Sequence, residues 1–164
     1  MRKTLDALYF GAAVLAAICL ALIAVLVLVQ VVGRWFGIIV PAAEDVAGFL
    51  MAATTFLALA WTLQSGGHIR VTLLIRHLSP RLRRAQEILV LIVAAALVAI
   101  IAWSSLLLVF ESFEYQDVSG GYFAVPLWIP QLPMAAGLVI LAIALLDELA
   151  TVSLGRSATY EHER

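Results

Sequence analysis

Four long stretches without a charged residue constrain this chain more than any motif does. Leu8–Val32 runs for 25 residues, Val46–Gly67 for 22 and Ile88–Phe110 for 23, and a fourth stretch covers Val118–Leu146. As a helix the first is about 37 Å long at 1.5 Å per residue, against a hydrocarbon core of about 30 Å. A soluble domain of 164 residues that is 64% hydrophobic and 13% charged could not hide so much apolar surface, so lipid must solvate much of it. In lipid the backbone polar groups have to pair within each segment. The reading is an all-α membrane protein, one domain over 1–164, with four transmembrane helices at about 8–32, 44–66, 80–112 and 128–150. Arg2 and Lys3 precede the first stretch as they would in a signal peptide. Its apolar run is longer than such a peptide carries, so it reads as a retained helix.

The placement of charge gives the orientation. Nine of the ten Lys and Arg residues lie at the N-terminus, in the second connection or in the C-terminal tail. The first connection has Arg34 alone, and the third is acidic, with Glu111, Glu114 and Asp117. The positive-inside rule therefore predicts both termini in the cytoplasm. In the second connection Val71, Leu74, Ile75, Leu78 and Leu82 recur at helical spacing between polar residues. That pattern predicts a short amphipathic segment lying in the cytoplasmic interface over 70–78. Gly66 and Gly67 would turn the chain before it. Ser79 and Pro80 would start the third helix, as cap and first residue. Arg76, Arg81, Arg83 and Arg84 are candidates for lipid headgroup contact.

The spans themselves hold little chemistry. Gln30, Thr54, Thr55, Ser104 and Ser105 are their main polar residues, and Ser and Thr in membranes commonly bond their own or a neighbouring helix. His68, His77 and His162 all fall outside the spans, which argues against axial haem ligation there. The lone Cys19 excludes a disulfide framework or a redox pair. No mid-span carboxylate is present to couple protons in a small exporter. The chain reads as a non-enzyme without catalytic, substrate, metal or cofactor residues, and no nucleic-acid partner is expected. What remains is helix surface for packing in a bundle, with Ala13, Ala17 and Ala21, and Ala95 and Ala99, spaced for close approach.

Several residues stand out at the helix ends. Glu44 and Asp45 open the second helix, where the helix dipole favours negative charge, and Arg34 across the short connection invites an ion pair with one of them or with a partner. His68 and Arg70 follow the glycine turn. They are candidates for lipid contact, for locking helices two and three, or for docking a partner. Trp128 suits an aromatic anchor at the interface. Pro126, Pro130 and Pro133 make a regular helix from 126 awkward, and they place its regular start at Pro130 or Pro133.

Taken in order, Val32-Gly33-Arg34-Trp35-Phe36, Pro41-Ala42-Ala43-Glu44-Asp45, Phe56-Leu57-Ala58-Leu59-Ala60-Trp61 and Gly67-His68-Ile69-Arg70-Val71 form a succession. It continues with Pro126-Leu127-Trp128-Ile129-Pro130-Gln131 and Met134-Ala135-Ala136-Gly137. Over roughly positions 5–150 this resembles the small membrane subunit of tripartite ATP-independent periplasmic (TRAP) transporters, the DctQ-like family. Thr72 stands where relatives often have an acidic residue. The resemblance implies a bacterial inner-membrane protein that serves as a scaffold or stator. Its partners would be a large membrane subunit, which carries the substrate and sodium sites, a soluble periplasmic substrate-binding protein, and membrane lipids. The transported class it implies is an organic acid such as a dicarboxylate or sugar acid. The alternative from the residues alone is a free-standing four-helix exporter or membrane assembly protein.

Overall fold

The computed structural model describes residues 2–65 and 80–154 of the chain. These residues form four α-helices: α1 (Arg2–Trp35), α2 (Ala43–Gln64), α3 (Pro80–Glu114) and α4 (Trp128–Ser153). All four are long and apolar enough to cross a membrane. The segment 70–78 expected to lie in the interface, with Arg70 and Arg76, is outside the described residues, as are Gly66, Gly67, His68 and Ser79.

The ends of the helices follow from local chemistry. At the end of α1 the Ile38 N–H bonds the Gly33 carbonyl at 2.8 Å and the Gly37 N–H bonds that of Arg34 at 3.2 Å. This double closure is the Schellman motif, and it needs a left-handed residue where Gly37 sits, at φ +70°. α3 ends with the outer bond of such a turn alone, Asp117 N–H on the Ser112 carbonyl at 3.1 Å. Here Gln116 takes the left-handed position, at φ +54°, and its side-chain amide donates to the Phe113 carbonyl at 2.7 Å. That bond offsets the strain a side chain incurs in this conformation. α3 begins at Pro80, whose fixed φ suits a first helical position. α4 begins at Trp128, ahead of both prolines expected to start it. Pro130 then falls in the first turn, where a missing N–H costs nothing, and Pro133 lies inside the helix.

The helices do not close into a bundle. α2 and α4 form a central pair; α1 packs on α2, α3 packs on α4, and α1 only brushes α4. Small residues make the central contacts. Ala12 and Ala16 of α1 are buried against Ala53 and Leu57 of α2, and Tyr9, Ala60 and Ala144 meet where α1, α2 and α4 converge. Leu91 and Ala95 of α3 pack on Leu141, Leu145 and Val152 of α4. The alanine stripe expected on α1 is thus displaced by one residue, since Ala17 and Ala21 are exposed while Ala12 and Ala16 are buried. An all-apolar helix carries no polar face to mark its register, so spacing alone could not choose between the two stripes. Ala95 is buried as that spacing implied, but Ala99 is exposed.

Outer helices with few neighbours leave most of their apolar surface open. Only 11% of the most apolar window of α1 is buried within the chain, against 33% for α4. That surface has to meet lipid or another protein.

Candidate functional site

The polar groups gather at the two ends of the helices. One end holds the α1–α2 and α3–α4 connections and is here called the loop end. At the loop end, Arg34 stands in the last turn of α1, where the helix dipole favours a cation, and Glu44 and Asp45 stand in the first turn of α2, where it favours anions. Together with Gln30 and Tyr122 they line an open cleft of about 590 Å³. The Schellman turn and residues 38–42 hold the two helix ends apart. Arg34 consequently makes no hydrogen bond or ion pair with Glu44 or Asp45 among the described residues. The start of α2 is also bare: Ala42 supplies no side-chain cap and adopts a left-handed conformation at φ +58°.

The α3–α4 connection is pinned over this cleft. Ser119 N–H bonds the Val125 carbonyl at 2.8 Å, Leu127 N–H bonds that of Asp117 at 2.9 Å, and the Ser119 hydroxyl donates to the Phe123 carbonyl at 3.0 Å. The Asp45 carboxylate lies directly against Gly121, where an added Cβ would come within 2.7 Å of its Cγ. Trp128 is half-buried, edge-to-face with Phe113 across the α3–α4 junction at 5.7 Å.

At the opposite, terminal end, Arg84 reaches from α3 to the last carbonyls of α4, donating to Ser153 at 2.9 Å and Val152 at 3.2 Å. The last carbonyls of a helix lack intrahelical donors, so a guanidinium there satisfies them and complements the dipole. Arg81 and Arg83 sit in the first turns of the same helix. Arg84→Ala should lower the unfolding midpoint in detergent by an amount equivalent to about 1 kcal/mol, and Arg84→Lys should recover part of it. An unchanged midpoint would show that these bonds add nothing to stability.

Two buried groups at this end did not stand out in the sequence. Tyr9 is fully buried and its hydroxyl has no hydrogen-bond partner among the described residues, and Glu148 is only 5% exposed and has a partner. Glu148 continues the stripe Gly137, Leu141, Ala144 along the buried side of α4. Its i+4 spacing from Ala144 was the available signal. Within the spans Thr54 donates to the Ala16 carbonyl at 3.4 Å, joining α2 to α1, and Thr55 and Thr62 bond carbonyls four residues back.

This geometry offers charged helix ends, a pinned connection and broad apolar faces, with the hydroxyls of Thr54, Thr55 and Thr62 bonded to helix carbonyls. Residues 23–154 match the family described as tripartite ATP-independent periplasmic transporters, DctQ component. The chain belongs to this family. The DctQ component is a part of a transporter rather than an enzyme, and four apolar helices accord with a multi-pass inner-membrane protein. None of the curated proteins matches the chain.

Proposed function

We propose that this DctQ-family chain is the small permease subunit of a TRAP transporter, acting as the stator against which a large membrane subunit works. The observation that carries the reading is the open arrangement of the helices combined with spans that hold no mid-membrane ionisable residue. Ionisable groups are costly in lipid and mark solute and ion pathways where they occur. A chain without them, yet with α1 and α3 largely uncovered, suits a fixed wall better than a solute pathway. On this reading the large subunit carries the sodium and substrate sites, and a soluble periplasmic receptor delivers an organic acid such as a dicarboxylate or sugar acid. No cofactor is needed on this chain. Thr54 and Thr55 fit that division of labour, because their hydroxyls already donate to helix carbonyls. Arg34, Glu44 and Asp45 have no ion pairs among the described residues and are the charged groups best placed for contact at the loop end.

The proposed orientation has the termini in the cytoplasm and the loop end outside. With Cys19 replaced by serine, a cysteine at position 119 should react with an impermeant thiol reagent on intact spheroplasts, and one at position 157 should not. Equal reaction at both positions would overturn the orientation. An affinity-tagged chain, extracted from its native membrane in mild detergent, should bring down a large multi-span membrane protein in fixed ratio. Recovery of the chain alone, or only with copies of itself, would instead favour a free-standing exporter.

A further inference from the structure

Two cavities at the loop end share a wall. The charged cleft has Arg34 on the α1 side and Glu44 and Asp45 on the α2 side. Beside it runs a trough of about 400 Å³ lined entirely by apolar residues and glycine, with Leu28, Val32 and Gly33 of α1 among them. Ile38 and Val40 line both cavities. The trough follows the last turns of α1, a helix long and apolar enough to cross a membrane, while the cleft lies at the charged helix ends.

A ligand that fills both spaces needs an aliphatic chain, an anionic group for the guanidinium and a cationic group for the carboxylates. We propose that the cleft and trough together bind one phosphatidylethanolamine molecule from the leaflet at the loop end. Its phosphate meets Arg34 and the uncapped first-turn N–H groups of α2, both of which favour an anion. Its ammonium meets Glu44 and Asp45, which have no cationic partner among the described residues. One acyl chain lies in the trough. Moving an acyl chain from bilayer to trough exchanges one apolar medium for another, so the trough sets position and adds little selectivity. The headgroup carries the preference. A trimethylated choline cannot donate hydrogen bonds to the carboxylates, and a glycerol headgroup has no cation for them.

The test uses the full-length chain, purified and stripped of lipid. It is then mixed with equal amounts of phosphatidylethanolamine, phosphatidylcholine and phosphatidylglycerol of identical acyl chains, and retained lipid is counted by native mass spectrometry. Phosphatidylethanolamine should be retained about tenfold over each competitor, the discrimination that one charge-assisted hydrogen bond gives. Arg34→Gln should reduce its retention about tenfold. The double variant Glu44→Gln with Asp45→Asn should reduce it to the level of phosphatidylcholine. Glu114→Gln, at the same end but outside the cleft, should change nothing. The shift in unfolding midpoint on adding each lipid gives a second readout and should rank the lipids and variants in the same order. Equal retention of the three headgroups, a preference for phosphatidylglycerol, or a phosphatidylethanolamine preference that survives both cleft variants would overturn the proposal. A large-subunit side chain occupying the cleft would show as lipid retained by the chain alone and lost from the complex, and would overturn the site as a feature of the assembled transporter.

Discussion

Gly137→Leu should push α2 and α4 apart and leave little correctly packed protein. At Gly137 the backbones of the two central helices touch: an added Cβ would stand 2.5 Å from the Phe56 carbonyl carbon and 2.9 Å from the Leu57 nitrogen. Even Gly137→Ala sets two effects against each other. Alanine in a helix interior gains about 0.5–1 kcal/mol over glycine, whereas overpacking a filled contact costs about 1–3 kcal/mol. The overpacking term wins here, because the obstructing atoms belong to helix backbone and have no rotamer to escape into. Gly121 makes the contrast. A Cβ there meets the Asp45 carboxylate, the far end of a side chain that can rotate, so Gly121→Ala should cost much less. Gly11 and Gly48 have nothing within 4 Å of an added Cβ, so Gly11→Ala and Gly48→Ala should be neutral or stabilising. Unfolding midpoints in detergent should therefore fall in the order Gly48→Ala, Gly121→Ala, Gly137→Ala, Gly137→Leu. A Gly137→Ala midpoint at or above that of the unaltered chain would show that the two helices are not held at this distance.

The existence of the four helices was legible because lipid imposes a simple rule. Any uncharged stretch of this length has to pair its own backbone, so Leu8–Val32 and Ile88–Phe110 could hardly be anything but helix. Turn chemistry was partly legible as well: Pro80 marks the start of α3. The way the helices pack was not. In a soluble helix the polar face shows by contrast which face is buried, but the α1 sequence is apolar all round, and nothing in it distinguishes Ala12 and Ala16 from Ala13 and Ala17. The open arrangement about α2 and α4 was equally invisible, for the same reason. The charged cleft was half legible. Arg34, Glu44 and Asp45 are conspicuous as charges beside long apolar runs, but that Gly37 closes a Schellman turn which holds them apart is a matter of backbone geometry. That Gly121 lies under Asp45 depends on a contact between residues 76 positions apart, and no local pattern encodes it.

Sodium-driven uptake should disappear when this chain is left out and return when it is restored. On the stator reading, the substrate-carrying part of the large subunit slides against a wall that stays fixed, and this chain widens that wall. Its α1 buries only 11% of its most apolar window internally, which leaves a full helix face for a neighbour. Between helices in lipid the driving force is close packing rather than exclusion of water, so the interface depends on the shape of that face. The shape in turn depends on α2 and α4 holding their spacing at Gly137. Proteoliposomes containing the large subunit, the loaded receptor and this chain should therefore take up substrate under a sodium gradient. Those lacking the chain, or carrying Gly137→Leu, should stay at background. The chain reconstituted alone should give no uptake of any organic acid, because none of its spans offers an ionisable mid-membrane group or a broken helix for a solute. The amount of large subunit inserted has to be matched between preparations, so that loss of transport is not loss of protein. Full uptake without the chain would remove the stator role, and uptake by the chain alone would place the solute pathway within it.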